Sequence, residues 1–470
     1  MPAKRIALEA AIFERTSGLA LSSHCPLACN IRPQPIQFGS MKRSLVALLL
    51  LIAISRCLGA EDFPLAPAVE CSPRGGLPNF FAKLKTKGAE VHIGYLGGSI
   101  TAQEGWRPKT LAYFQKTYPD AKISQINAAI GGTGSDLGVF RLKQDVLDHH
   151  PDLLFVEFAV NDGGQLPEKI FKCMEGIVRQ TWKDNPSCDI CFVYTLVKDS
   201  VPTLAGGKFP RAASAMEKIA DHYGIPSIHM GLKVAQLASE DKLIFKAPLP
   251  KTDDEKKSVG DRIVFSPDGV HPYPQTGHEL YLQSIVRSLP AMESAGTTAM
   301  PHALPSPFVA DNFENAKMIS IDKATLSAGF VPLDPENDKL AKRFSKQLNT
   351  LHRAHEPGQT VSFRFKGIYA AIYDIIGPDC GQVIITVDDQ KPVTRPRFDA
   401  YCTSFRLQTL VLGSELPDAV HTVKIEIDKN QPDKAKILAQ RHEKIDDPKR
   451  FDDTAFYPGA ILIVGDLVPQ

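Results

Sequence analysis

From Val91 to about Pro290 the chain alternates between short β-branched runs and longer stretches of helical periodicity. The strand-like runs are 91–96, 122–127, 153–159, 190–197 and 226–230, and the helix-like runs are 106–118, 135–149, 167–183, 211–223 and 275–288. Strands separated by helices pair in parallel, and a parallel sheet must be covered by helices on both faces. Phe155-Val156-Glu157-Phe158-Ala159-Val160 is apolar except at Glu157, as suits a central strand. Glu157 therefore requires a buried partner. His149-His150 before Pro151 reads as a helix end.

Beyond this region the rhythm changes. Residues 291–310 are rich in Ala, Ser, Thr and Pro and read as a linker. The runs 361–365, 369–375, 383–387, 404–411, 422–427 and 460–464 are short and β-branched, with Gly, Pro and Asp between them. They imply a C-terminal antiparallel β-sandwich over 311–470, preceded or interrupted by one helix over 337–352. Residues 240–260 form a charged insertion, expected to be a solvated loop or a mobile lid.

The N-terminal region carries a targeting pattern. Met41-Lys42-Arg43 is basic, 44–55 is almost wholly apolar, and Leu58-Gly59-Ala60 offers a cleavage site. This is the pattern of a signal peptide over 41–60, cut near Ala60, and it implies an exported protein. The apolar run is short for a membrane span, so stable insertion is not expected. Residues 1–40 carry no pattern and read as an extension upstream of Met41, the expected true start, or as a disordered tail. Beyond the cut lie Cys71, Cys173, Cys188, Cys191, Cys380 and Cys402, and the sequence alone cannot assign disulfide pairs among them. Cys188-x-x-Cys191 falls on a strand, where residues three apart face opposite sides, so both read as buried thiols rather than metal ligands. A net charge of +1 gives no reason to expect a nucleic-acid partner.

Three islands carry chemistry. Gly97-Gly98-Ser99-Ile100-Thr101 places a serine on a tight turn between a strand and a helix. Thr101 to Glu104 has capping-box spacing, so a helix is expected to begin just behind Ser99. Serine is a weak nucleophile until a neighbouring base takes its proton. Asp268-Gly269-Val270-His271-Pro272 supplies an imidazole with a carboxylate three residues before it. The plain alternative is a Pro-Asp-Gly turn followed by a surface histidine. A tetrahedral intermediate also needs N–H donors, each worth roughly 2.7–4 kcal/mol. Gly132, after the second strand, and the Asn161 side chain, after the third, can offer them. In a doubly wound sheet these strand ends open on one edge.

The layout resembles the SGNH (GDSL-like) hydrolase superfamily. Leu96 to Thr101 is similar to its first block, with Gly98 where Asp is usual. Asn127 to Gly132 is similar to the second, with Ala129 where Gly is common. Val160-Asn161-Asp162 and Asp268 to Pro272 are similar to the blocks that carry Asn and His. The resemblance covers 91–290 and implies a flavodoxin-like three-layer α/β/α SGNH domain over 61–290. It implies Ser99 as nucleophile, His271 as base and Asp268 as its orienter. Ser99 N–H, Gly132 N–H and the Asn161 side chain would form the oxyanion hole. No metal or organic cofactor is implied.

The function expected is that of a secreted serine esterase acting on short acyl esters, acetyl above all, on a small molecule or polysaccharide. A lipid or thioester acylhydrolase of the same fold is one alternative. Another is a catalytically silent carbohydrate-binding or surface protein, with Tyr369, Tyr373, Phe398, Tyr401, Phe456 and Tyr457 as sugar platforms or as core. A dinucleotide enzyme, suggested by Gly132, Gly134 and Gly138 before Glu157, leaves Ser99, Asn161, Asp268 and His271 unused. Asp162 reads as an orienter of the Asn161 loop or a turn residue. Arg141 reads as a surface or ion-pairing group, and His278 as a solvated or packing residue on the last helix.

Overall fold

The computed structural model describes residues 63–296 and 298–469. The extension expected over 1–40 and the signal peptide expected over 41–60 lie outside the described residues.

Strands β1 (Cys71–Ser72), β2 (Glu90–Gly97), β3 (Lys122–Ala129), β4 (Leu153–Glu157), β5 (Asp189–Tyr194) and β6 (Ser227–His229) form one sheet in the order β1-β6-β5-β4-β2-β3. All neighbours are parallel except the short edge strand β1. From β2 to β6 this is the flavodoxin order, with its switch point between β2 and β4. Burial follows position. Every residue of β4 and β5 is buried, whereas the edge strand β3 is largely open.

The helices form two layers. These helices are α1 (Pro78–Leu84), α2 (Ser99–Ala102), α3 (Trp106–Thr117), α4 (Ser135–Asp145), α5 (Pro167–Asp184), α6 (Val201–Ala205), α7 (Arg211–Tyr223), α8 (Leu232–Ser239), α9 (Asp253–Val259) and α10 (Gly277–Ala295). α4, α5 and α7 pack side by side, and α3, α10 and α8 form the other group. α10 runs through Pro290 to Ala295, further than its sequence pattern suggests. The charged insertion is not a bare loop. β7 (Leu243–Lys246) and β8 (Ile263–Ser266) pair in parallel around α9, which opens on a capping box between Thr252 and Glu255.

The C-terminal unit is an antiparallel β-sheet domain. It comprises β9 (Ala316–Ser320), β10 (Thr325–Leu326), β11 (Val331–Pro332), β12 (His352–Arg353), β13 (Thr360–Ile376), β14 (Gln382–Val387), β15 (Val393–Pro396), β16 (Arg406–Gly413), β17 (Ala419–Ile427) and β18 (Tyr457–Val468). The runs at 361–365 and 369–375 are a single strand, β13. Gly367, which looks like a break, sits at a bulge where a Cβ would lie 2.0 Å from the Val464 carbonyl oxygen. β13 changes partner there, from β17 through Gly367 to β16 from Ala370. The helix expected over 337–352 shrinks to α11 (Lys339–Phe344), capped by Asp338. Its second half turns instead to pair β12 with β11, and Leu333 N–H bonds to Leu351 O.

β13 also explains how the two units join. In its second half Tyr369, Ala371, Tyr373 and Ile375 enter the same core cluster as the α/β sheet, while Ala370 and Ile372 enter the core of the β domain. Alternate side chains of one strand face opposite sides, so this stretch has no solvent face. Phe140 on α4 stacks on Tyr369 at 5.4 Å, and the Lys169 ammonium lies 4.3 Å from the Phe313 ring. Of the six aromatic residues considered as sugar platforms, Tyr369, Tyr373, Phe398, Phe456 and Tyr457 are buried. Tyr401 is half-buried with the Arg441 guanidinium 4.0 Å from its ring.

The segment read as a linker is strapped down. The Glu175 carboxylate, wholly buried on α5, accepts the N–H groups of Phe308 and Val309. Arg179 reaches Pro305 O at 2.9 Å, and the His302 ring stacks on Trp182 at 4.5 Å. The six cysteines beyond 62 are all free thiols, and five of them are buried.

Candidate active site

Ser99 opens α2, at the carboxyl end of β2 and therefore at the switch point of the sheet. The two glycines before it are required by close approach. A Cβ on Gly98 would stand 2.0 Å from Asn161 Oδ1, and one on Gly97 would stand 2.7 Å from Thr101 Oγ1. The Asp usual at position 98 therefore has no room. α2 lasts one turn, Gln103 is extended, and the helix restarts at Trp106. The expected capping box at Thr101 is absent. Thr101 lies inside the turn and donates its hydroxyl to Glu157 Oε2 at 2.9 Å.

Asp268 and His271 follow β8. Gly269 adopts φ +91°, and its N–H donates to Ser266 Oγ at 2.9 Å. This turn lets Asp268 Oδ1 accept the N–H groups of Val270 and His271, both at 2.8 Å. Asp268 Oδ2 accepts from His271 Nδ1 at 2.7 Å, and His271 Nε2 lies 2.8 Å from Ser99 Oγ. The first bond makes Nδ1 the protonated nitrogen and leaves Nε2 to accept the serine proton. Partial burial pushes the Asp268 carboxyl up, but the hydrogen bonds from the His271 ring and from two backbone N–H groups outweigh it and hold it below the usual range.

Gly132 and Asn161 stand on the neighbouring strand ends. Gly132 adopts φ +75°, a conformation that favours glycine, and nothing lies near its missing side chain. The next glycine back, Gly131, faces Ser99, since a Cβ there would lie 3.6 Å from Ser99 Cβ. Asn161 opens a 3-10 turn, and its side-chain amide packs against Gly98. Asp162 joins these two loops. It is wholly buried, its Oδ1 accepts the Ser135 N–H at 3.0 Å, and its Oδ2 has no partner. Burial raises its pKa to about 7, against the hydrogen bond from Ser135 and with the negative field of Asp136.

The buried floor under these loops was not legible in the sequence. Arg141 is not a surface group. It is buried, and it donates to Ala128 O, to Gly97 O at 3.3 Å and to Asp145 at 2.9 Å. One guanidinium thus ties together the ends of β2 and β3. Glu157 finds its partners in the hydroxyls of Thr101 and Thr195, and desolvation raises its pKa despite them. His278 packs between α10 and the start of α3, bonding Trp106 N–H and Gln103. Only the Arg141–Asp145 pair, one helical turn apart, leaves a local trace in the sequence. The other contacts join residues far apart in the chain. Among the described residues no group of three or more His, Cys, Asp or Glu could hold a metal.

Residues 95–279 match the GDSL-like lipase/acylhydrolase family model. This segment is a GDSL-like acylhydrolase domain. It carries the switch-point serine, both glycine loops and the Asp268–His271 turn, so the carboxylic ester hydrolase class rests on the same residues as the geometry. Two solved structures share the two-domain fold of this chain. One is a two-domain esterase active on acetylated mannans, with 20% identity and a TM-score of 0.63 over 84% of this chain and 97% of that one. The other is described as the same kind of esterase co-crystallised with mannopentaose, with 19% identity and a TM-score of 0.62 over the same shares. No curated protein matches the sequence of the chain.

Proposed function

We propose that this protein is an exported serine esterase that removes acetyl groups from carbohydrates. The observation that carries the reading is the continuous hydrogen-bonded line from Asp268 through His271 to Ser99 Oγ, with spans of 2.7 and 2.8 Å. In this reading Ser99 Oγ attacks the ester carbonyl carbon while His271 Nε2 takes its proton. Asp268 holds the imidazole in the required tautomer and stabilises its charged form. The N–H groups of Ser99 and Gly132 and the Asn161 amide receive the oxyanion. The tetrahedral intermediate collapses, the sugar alkoxide leaves with the proton from His271, and an acetyl-Ser99 ester remains. Water, deprotonated by His271, then attacks that ester, and acetate and free Ser99 result.

Three features support an acetylated glycan as substrate. Ser99, Asn161 and His271 are each half-buried and so reach solvent. The leader pattern favours export. The mannan-active esterases share the arrangement of both domains. Acetate release from acetylated manno- and xylo-oligosaccharides, set beside p-nitrophenyl esters of rising chain length, tests this. The expected result is acetate release and a steep loss of rate beyond short acyl chains, with Ser99→Ala slower by about 10⁴-fold or more. Full turnover by the Ser99→Ala protein would sink the mechanism. A preference for long acyl chains would move the substrate to lipids. N-terminal sequencing of the processed protein tests cleavage near Ala60.

A further inference from the structure

His278 sits seven positions beyond His271, one residue into α10, and is wholly buried. Its two ring nitrogens both face the chain that continues from Ser99. Nδ1 accepts the Trp106 N–H at 3.1 Å, and Nε2 faces Gln103 Oε1 at 3.1 Å. Trp106 N–H is an orphan donor at the start of α3, where Gly105 has no side chain to cap it. With Nδ1 accepting, Nε2 carries the proton and donates to Gln103. The ring is neutral, and burial, with Lys109 and His271 nearby, pushes its pKa down to about 3. Gly105 is shaped to the ring: a Cβ there would lie 2.3 Å from His278 Cγ. Gln103 is in turn bonded to the nucleophile, since its N–H donates to Ser99 O at 3.1 Å. On the other side the His278 N–H donates to Tyr273 O, two residues beyond His271.

We propose that His278 is a positioning residue that fastens the nucleophile arm, 99–106, to the base arm, 268–278, and so sets the Ser99–His271 distance. It touches neither substrate nor reacting atoms. The inference rests on the roles proposed above for Ser99 and His271. Those residues meet across a sequence separation of 172, and only one hydrogen bond joins them. The His278 strap crosses the same gap with two bonds to backbone and amide groups that do not titrate near neutrality. A displacement of about 1 Å at a reacting pair can cost 10²-fold in rate.

The test compares His278→Phe with His278→Ala, Gln103→Ala and the His278→Phe/Gln103→Ala double variant. Phenylalanine fills the site without hydrogen bonds and so separates packing from positioning. With p-nitrophenyl acetate, and rates normalised to folded protein by near-UV circular dichroism, His278→Phe is expected to lose about 10- to 100-fold in kcat with KM within about twofold. Gln103→Ala loses less, and the double variant is no slower than His278→Phe, because both break one strap. A kcat for His278→Phe within about twofold of the parent overturns the proposal. A second readout does not depend on turnover: the proton resonance of the His271 Nδ1–H···Asp268 bond shifts or broadens in His278→Phe. An unchanged resonance overturns the proposal. Retained turnover in Ser99→Ala would instead show that the assigned mechanism is wrong, and the resonance still decides whether His278 positions the base arm.

Discussion

The Asp162 carboxylate shows how a buried acid holds a loop and burdens it. Its single satisfied oxygen fixes the start of α4, directly behind the Gly132 loop, while the other oxygen has no partner. The folded protein keeps Asp162 protonated up to about pH 7, against 3.8 for the free group. Between those values the native state binds more protons than the unfolded state, so stability falls as pH rises through that window and levels off above it. Asp162→Asn keeps the acceptor for Ser135 and cannot ionise. It is expected to remove this slope and to gain on the order of 2–4 kcal/mol above pH 7, read as denaturant midpoints against pH. Asp268 acts in the opposite sense. Its depressed carboxyl contributes stability that is present above the ordinary carboxylate range and is lost as pH falls through its folded value. Ser99, Asp268 and His271 were legible because turn glycines and an Asp-x-x-His spacing are local signals. The Arg141–Asp145 pair and the need of Glu157 for a buried partner were legible too, but the bonds of Arg141 to Gly97, of Glu157 to Thr101 and of His278 to Trp106 were not, because they span 44, 56 and 172 residues. No local pattern distinguishes such a residue from a surface or packing one.

At the scale of the element, the turn from β2 into α2 is built by subtraction. Neither glycine before Ser99 is needed for an unusual φ at that point; each is needed because another group already fills the place of its side chain. In the mechanism proposed above the Asn161 amide donates to the oxyanion, so Gly98→Ala, which would push that amide aside, is expected to lower kcat by about 10²-fold. KM for p-nitrophenyl acetate should change little, which a Michaelis–Menten comparison with Asn161→Ala will show: the two variants should lose similar amounts, and the double variant no more than either. The elements themselves were largely legible. Helix 211–223 and the α/β strands stand within a few residues of their sequence patterns, since periodicity and turn residues are properties of neighbours. β13 was not, because Gly367 looks like punctuation until its cross-strand partner, Gly465, is known. The helix over 337–352 failed for a related reason: pairing of β12 with β11 wins over local helical preference.

At the scale of the molecule, composition separates the two units but hides how they join. The Ala-, Ser- and Pro-rich stretch looks like a free tether, and the polar groups that pin it, Glu175, Arg179 and Asp189, lie on the α/β unit far upstream. The stacking of Phe140 on Tyr369 places the β domain against α4, the helix that begins behind the Gly132 loop. Tyr369→Ala removes a buried ring from this junction and is expected to cost about 3–5 kcal/mol, measured by urea unfolding. The catalytic rate of the folded fraction should fall less than the stability does.

The doubly buried half of β13 carries one more consequence. A strand whose odd residues belong to one core and whose even residues belong to another cannot be lost from either without dismantling both. Heating should therefore give a single calorimetric peak with matching van't Hoff and calorimetric enthalpies, and a fragment cut at residue 310 should expose Phe140 and precipitate. The β domain is thus an inseparable wall of the enzyme, and exchanging it for another module would require redesign of the α4 and α5 surface as well.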